Sequence, residues 1–427
     1  MYIGLDIGTS SVKGILTTND GEIIKTSHKS FYYTYLDNGG VEISAEDYID
    51  VCFEAIKELA AGDVQIDGFC ASSASGNLLL LDNDMKPVTP IYNWQDKRVT
   101  TEAKEILGEM DTYELYKRTG WPFSYKTMPL ALLCYIKKHE PDKIKQCGKV
   151  CMSTEYLYYK LTGKWGISTS SGTPFFLIDQ NNGKYIPEIL EKIGINENDL
   201  PPIMPCGSVL GKVTKEAERH CGLKENTPVV LGSFDHPSAA RGVGVLEEGE
   251  MLLSCGTSWV AFVPVKDRSK IEKAGALIDP FLSEKGGPWG AMVSVSSVSE
   301  RIKLYVDRYI DNTDKKFEIL SGLAQNNSSN GLVLRLTDEP CDQKVEGYGK
   351  GNIAHAIMES AVRLLKEKIG ALEDVGLYAE SAVMVGGPSS NPLWPKLISE
   401  MLKIEVKVKH GAFAGAMGAA EIAKGEI

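Results

Sequence analysis

The chain has 427 residues, 43% of them hydrophobic and 24% charged, with a formal net charge of -11. That length predicts two domains, each large enough to bury its own core. The acidic balance argues against a nucleic-acid partner, which would call for a basic face, but it leaves room for an anionic ligand, because a few local donors hold phosphate on an acidic protein.

Nine cysteines are scattered along the chain with no C-x-x-C spacing, the pattern of free thiols in a reducing cytosol. Cys147 and Cys151 lie four apart without a third ligand nearby. The first residues read directly as a strand, with no basic and apolar leader. No apolar run approaches the ~20 residues of a spanning helix. A cytoplasmic protein without a membrane partner is expected.

The chain opens with "YIGLDIGTSSVKGIL". Ile3, Leu5 and Ile7 point to one face and Gly4, Asp6 and Gly8 to the other, so one face is core and the other is bare apart from a carboxylate. Asn19-Asp20-Gly21 is a hairpin turn signal, and the start reads as an antiparallel meander. Residues 44–62 read as a helix capped by Ser44, with Glu46 and Asp47 in its first turn. "IDGFCASS" and "GNLLLLDND" read as strands. Residues 101–118, 127–139 and 153–162 read as helices, the last ending at Gly163. This alternation is that of an α/β protein.

The pattern restarts near 228 with "TPVVLGSFDHPSAARGVG" and "EMLLSCGTSWVAFVP". "LLSCGTSWVAFV" repeats the opening strand, Gly-Thr-Ser, strand. Domains of 1–227 and 228–427 are expected, each presenting a polar turn to a shared cleft. A helix follows over "NIAHAIMESAVRLLKEKIG", bounded by Asn352 and Gly370. "SAVMVGGPSSNPLWPKLISEML" reads as strand, Gly-Gly and helix, with Asn391 as N-cap and Pro392 at N1. "IEVKVK" is a last strand, and the small residues of "HGAFAGAMGAAEIAKG" suit a helix packed closely on a neighbour.

Several of these residues carry chemistry. In the first turn, Gly8 lets the backbone approach a ligand, Thr9, Ser10 and Ser11 are donors, and Lys13 adds charge, which suits phosphate. A plain hairpin turn accounts for the same residues. The second turn, Gly256-Thr257-Ser258, favours the ligand, because a triphosphate needs donors from more than one side. Asp235 follows an apolar strand and would take a proton from an attacking hydroxyl, although Asp before Pro237 and Ser238 also suits a helix N-cap. His236 beside it is either a ligand contact or a structural hydrogen-bonder. Asp6, near a triphosphate, would meet it through Mg²⁺ and waters. Gly386-Gly387 leaves room for a flat group, with Asn391 to hydrogen-bond it, or forms a tight turn. In "IYNWQDKR", Trp94, Asp96 and Arg98 are what a polyol pocket uses, and also what a surface salt bridge beside a half-buried Trp would be.

Together these motifs resemble the FGGY carbohydrate kinases, the xylulokinase-, ribulokinase- and fuculokinase-like enzymes of the actin/hexokinase/Hsp70 ATPase superfamily. "DIGTSSVKG" is similar to the first phosphate motif, "IYNWQDKR" to the W-x-D-x-R segment, "GSFDHPSAARGVG" to the catalytic-base motif, "SCGTSW" to the second phosphate motif and "VGGPSSN" to the adenosine motif. The resemblance implies two RNase H-like domains around a central cleft and ATP-dependent phosphorylation of a sugar hydroxyl. It implies Asp235 as general base, with Asp6 and Asp235 at Mg²⁺. Gly8, Thr9, Ser10, Lys13, Gly256, Thr257 and Ser258 would lie at the phosphates, and Gly386, Gly387 and Asn391 at the adenosine. Trp94, Asp96, Arg98 and His236 would lie at the sugar. Ser75-Gly76 replaces the Arg-Glu of glycerol kinases and the Met-His of xylulokinases, which leaves Ser75, Gly76 and Asn77 lining a differently shaped pocket. A ketose such as a pentulose, hexulose or deoxyketose is the expected substrate, and a homodimer is one open assembly state. An actin-like ATP-binding filament and a non-catalytic sugar and nucleotide sensor are the alternatives.

Overall fold

The computed structural model describes residues 1–126, 128–338 and 343–425. The chain forms two compact units. The first comprises Met1–Gly242, Ile278–Gly287 and Gly415–Ile427, and the second Val243–Leu277 and Pro288–Ala414.

The first unit is built on a six-stranded sheet in the order Val209–Lys212, Pro228–Phe234, Gly68–Ser73, Tyr2–Ile7, Ser11–Thr17, Ile23–Ser30. The expected opening meander is antiparallel. Gly68–Ser73 runs parallel to Tyr2–Ile7, and Pro228–Phe234 runs parallel to Gly68–Ser73. Ile3, Leu5 and Ile7 join Phe53, Ile56 and Leu59 in one buried cluster, the last three from helix Ala45–Ala60. That helix starts where expected, because the Ser44 hydroxyl accepts from the Asp47 amide, a bond that satisfies an otherwise orphaned donor.

The second unit repeats the plan. Glu250–Cys255, Trp259–Val265 and Trp289–Val295 form an antiparallel meander. Ser381–Val385 lies parallel to Glu250–Cys255, and Glu405–Val408 parallel to Ser381–Val385. A short edge strand, Leu277–Asp279, begins in this unit. The two Gly-Thr-Ser turns therefore occupy equivalent places, each joining the first two strands of its meander, and Ser254 stands where Asp6 stands in the first unit.

The restart at 228 does not mark the boundary between units. Pro228–Phe234 hydrogen-bonds to Gly68–Ser73 in the first sheet, so the first unit continues to Gly242 and later recovers two distant segments. Parallel pairing joins strands far apart in sequence, and no local signal marks it. The helix expected over 101–118 is two helices, Glu102–Leu107 and Thr112–Thr119, parted at Gly108 (φ 68°) and restarted by an Asp111 cap. The next helix spans Met128–His139, and Thr127 lies outside the described residues. The long helix spans Lys350–Glu373 and takes in both Asn352 and Gly370, which were expected to bound it. Asn352 reaches back to the Gly349 amide from inside the first turn, and a Cβ at Gly370 would meet open space. The helix after Gly386-Gly387 begins at Leu393, one residue later than expected, although Asn391 Oδ1 still accepts from the Leu393 amide.

The bare face of the first strand is not open along its length. Helix Ala414–Lys424 lies against it, and a Cβ at Gly4 would stand 2.0 Å from the Ala416 carbonyl oxygen and 2.5 Å from the Ala420 amide. At Gly418 it would stand 1.7 Å from the Ser238 carbonyl oxygen. The small-residue run thus lets a helix rest directly on the strand from Gly4 as far as the Asp6 carboxylate, with Gly8 beyond it. Gly4→Ala is expected to cost about 3 kcal/mol by overpacking against backbone that cannot move aside; urea denaturation at pH 7 would measure it.

No helix among the described residues is long and apolar enough to cross a membrane.

Candidate active site

Asp6 is the penultimate residue of the first strand, opposite Lys13 on one neighbour and Ser72 on the other. The Ser72 hydroxyl lies 3.3 Å from the Leu5 carbonyl and 3.5 Å from that of Gly415. A Cβ at Gly415 would stand 2.5 Å from Asp6 Oδ2, so only glycine lets the helix pass the carboxylate. Asp6 Oδ1 is shut off from solvent and has no hydrogen-bond partner. Burial, reinforced by the negative charge of Asp235, raises the Asp6 carboxyl to about 7, while Lys13 and a Ser72 hydrogen bond pull it back. A carboxylate oxygen closed in and unpaired beside a second carboxylate is the environment a divalent cation satisfies. No group of three His, Cys, Asp or Glu ligands exists among the described residues. Water and ligand oxygens would therefore complete the shell of a Mg²⁺ ion, as suits that ion.

Asp235 is the first residue of helix Asp235–Val243, directly after strand Pro228–Phe234. Its Oδ1 accepts from the His236 amide at 2.7 Å, the bond of a helix start. The next residue, Pro237, has no N–H to give, which limits capping. Asp235 Oδ2 takes no protein hydrogen bond among the described residues. The side chain is 24% exposed, so solvent and a ligand reach it. His236 Nε2 stands 3.8 Å from Asp235 Oδ1. The His236 ring meets Phe234 edge-on at 5.6 Å, and Phe234 in turn meets Trp121 at 5.4 Å. This aromatic row was absent from the expected site. Trp121 sits 115 positions from His236, and no local pattern joins them.

The first turn is closed by the Gly8 amide on the Ser11 carbonyl at 2.9 Å. Thr9 is half-buried and Ser10 exposed. Lys13 forms no salt bridge among the described residues. Trp94 meets this turn directly, its indole N–H donating to Thr9 Oγ1 at 2.9 Å. Gly76 (φ 98°) packs beside Trp94, where a Cβ would lie 3.5 Å from the Trp94 Cβ and 3.0 Å from Met128 Sδ. Met128 thus packs against Gly76, and Gly76 itself is required for its backbone angle.

Four expected sugar contacts are occupied by protein. Asn77 gives its amide to Ser153 Oγ at 3.0 Å and accepts from the Ser153 N–H at 2.7 Å, which fastens the start of helix Ser153–Thr162. Ser75 is buried, with its hydroxyl 3.3 Å from that of Ser73. Asp96 is 1% exposed and takes Arg98 Nε on both oxygens, at 2.9 and 3.0 Å, and the Val41 amide at 2.9 Å. Arg98 also bonds Glu42 at 3.0 Å and lies over the Tyr92 ring. The salt-bridge alternative therefore describes Asp96 and Arg98, except that the pair is buried. Glu42 pairs with Tyr92 on the strand that leads into this loop, and the Asn93 amide donates to the Val41 carbonyl at 2.8 Å, which brings Val41 and Glu42 to the pair. Asp96→Ala would leave the guanidinium partly uncompensated, and a loss of about 3 kcal/mol is expected, read by thermal or urea unfolding.

In the second unit, Gly256 and Thr257 are exposed. Their turn is held from outside: the Ser299 hydroxyl donates to the Gly256 carbonyl at 2.6 Å, and the Ser297 amide donates to Ser258 Oγ at 3.2 Å. These two serines were not among the expected residues. Gly386 (φ 95°) needs glycine twice over, since a Cβ would also stand 2.2 Å from the Cys255 carbonyl oxygen. Gly387 is exposed, with open space around it. Asn391 differs from its expected role: its amide donates to Ser321 Oγ and its Oδ1 caps the following helix, so the side chain braces the turn.

The comparisons with known proteins agree with this architecture. The model of the FGGY family of carbohydrate kinases, N-terminal domain, matches residues 1–242, ending where the first unit's opening segment ends. The xylulose kinase of Bacillus subtilis (strain 168) is 25% identical over 440 residues, covering 99% of this chain and 87% of its own. The gluconokinase of the same strain is 23% identical over 449 residues, covering 98% and 86%. The crystal structure of xylulose kinase from Rhodospirillum rubrum superposes with a TM-score of 0.87 at 22% identity, over 99% of this chain and 89% of that one. With its duplicated sheet of the actin-like ATPase kind, the chain belongs to the FGGY family of carbohydrate kinases, phosphotransferases that act on sugars with ATP.

Proposed function

We propose that the chain transfers the γ-phosphoryl group of ATP to a hydroxyl of a ketose, with Asp235 as general base. The observation that carries this reading is the pair of carboxylates: Asp235, half-exposed with an open Oδ2, and Asp6, whose Oδ1 is enclosed and unpaired. The attacking hydroxyl gives its proton to Asp235 Oδ2 as its oxygen bonds to phosphorus, and the bond from phosphorus to the β-phosphate oxygen breaks to release ADP. Phosphoryl transfer asks for positioning and charge neutralisation more than covalent help. Gly8, Thr9, Ser10 and Lys13 supply amide, hydroxyl and ammonium donors to the phosphates, and Gly256, Thr257 and Ser258 add further amide and hydroxyl donors. The Gly386-Gly387 backbone receives the nucleoside, and Asn391 holds that turn in shape. A Mg²⁺ ion held by Asp6 through water, and shared with Asp235, would neutralise phosphate charge when bound. Trp94 offers a ring face to the carbon side of the sugar, Asp96 and Arg98 fix the loop that carries Trp94, and His236, 3.8 Å from Asp235 Oδ1, contacts the sugar beside the base.

A ketose is supported by the likeness to xylulose kinase over nearly the whole chain. An aldonate is the rival suggested by the gluconokinase match. ADP release from Mg·ATP across a panel of ketoses, aldoses, polyols and aldonates tests both. Stimulation by a ketose and by no aldonate is expected. Stimulation by an aldonate alone would overturn the substrate class, and the absence of any sugar-dependent rate would overturn the kinase reading itself.

A further inference from the structure

The Trp94–Thr9 hydrogen bond joins two residues that serve different ligands in the reading above, on which this inference rests. An indole N–H only donates. At 2.9 Å from Thr9 Oγ1, it therefore fixes that oxygen as an acceptor and turns the hydroxyl's own hydrogen elsewhere. No protein group among the described residues takes that hydrogen. Thr9 lies in the polar turn between Tyr2–Ile7 and Ser11–Thr17, next to Ser10 and three residues after Asp6, so the free O–H lies at the candidate phosphate turn. Meanwhile the Trp94 ring is held in place. Its Cβ packs beside Gly76, and its loop is pinned by the buried Asp96–Arg98 pair.

We propose that Trp94 is a positioning residue that sets the Thr9 hydroxyl as a donor to a phosphoryl oxygen, and that it thereby links occupancy of the sugar side to the grip on the phosphate. A hydroxyl free to rotate loses much of its value as an electrostatic donor, because preorganisation is what makes such donors effective. A sugar lying on the Trp94 ring restricts the indole further and tightens the donor when the acceptor is present. The link runs through one bond between residues 85 positions apart.

A double-mutant cycle tests this. Trp94→Phe keeps a ring against the sugar and removes only the N–H. Thr9→Val removes the hydroxyl at similar volume, and Thr9→Ser keeps it. With the active sugar, Thr9→Val is expected to lower kcat roughly 100-fold, on the scale of losing one transition-state donor. Trp94→Phe is expected to lower kcat roughly tenfold with little change in the KM for sugar. In the Thr9→Val background, Trp94→Phe should add nothing, whereas in the Thr9→Ser background it should still cost about tenfold. Losses that multiply in the Thr9→Val background, or a Trp94→Phe enzyme with unaltered kcat, would overturn the proposal. Failure of the base assignment would show separately, as retained turnover in Asp235→Asn. If no sugar supports turnover, the same cycle read as Kd for a non-hydrolysable ATP analogue with Mg²⁺ decides the matter: coupled losses support the bond's role, and multiplying losses reject it. Thermal unfolding of each variant identifies any that fail to fold, and the Thr9→Ser pair carries the test in that event.

Discussion

Asp235→Asn is expected to lower turnover with the cognate sugar by roughly 10³-fold while leaving Mg·ATP binding within a few-fold of the parent. The substitution keeps shape and the hydrogen bond that Oδ1 accepts from the His236 amide, so the start of the helix should survive. It removes the one basic oxygen, Oδ2, that no protein donor occupies. A general base contributes about 10²- to 10⁴-fold, and the middle of that range fits a case in which charge neutralisation carries the rest. Rapid-quench single turnovers check the effect on the chemical step itself, because product release limits steady-state rates in many kinases. A loss confined to KM would place Asp235 in binding and remove it from proton transfer.

The second large effect belongs to Asp6. Its carboxyl is raised from an ordinary value of 3.8 to about 7, first by burial and then by Asp235. A raised carboxyl binds its proton more tightly in the folded protein than in the unfolded chain. Its contribution to stability is therefore fully present below about pH 4 and is lost as the pH climbs through about 7. The amount at stake is roughly 2–4 kcal/mol in the absence of metal and nucleotide. Asp6→Asn has no such proton to lose, so the variant should be the more stable protein at pH 8, and its advantage should shrink toward pH 4. Urea titrations of both proteins at several pH values, in EDTA, measure this directly. The same variant should lose at least roughly 10²-fold in turnover, since the carboxylate that would hold Mg²⁺ is gone. Equal pH dependence in the two proteins would mean that Asp6 is solvated as an ordinary strand carboxylate.

The parts of this site that could be read along the chain are those whose physics is local. Asp6 stood out because alternation put it on a face with Gly4 and Gly8, and a carboxylate among glycines has no packing role to explain it. The two Gly-Thr-Ser turns and the Asp235 position depend on a strand followed by small polar residues, a pattern visible within a few positions. The duplicated sheet order confirms that the repeat was structural. What escaped was non-local. Asn77 faces Ser153 across 76 positions, Trp94 faces Thr9 across 85, and Pro228–Phe234 joins a sheet begun at Tyr2. Asp96 and Arg98 carry two readings along the chain for a different reason. Their residue types were equally right for binding a polyol and for binding each other, and only the packing of Val41 and Glu42 beside them separates the two. Gly4, on a face that reads as bare, makes room for the backbone of a helix some 410 positions away.

The central claim is that a sugar hydroxyl is phosphorylated with Asp235 taking its proton. ³¹P NMR of reactions containing Mg·ATP and each member of the sugar panel, run with the parent enzyme and Asp235→Asn side by side, addresses it most directly, because it distinguishes a phosphate ester on the sugar from inorganic phosphate. The account predicts a sugar phosphate ester and ADP in equal amounts with the parent and almost none with the variant. Inorganic phosphate without ester, or ester formed equally well by Asp235→Asn, would contradict it.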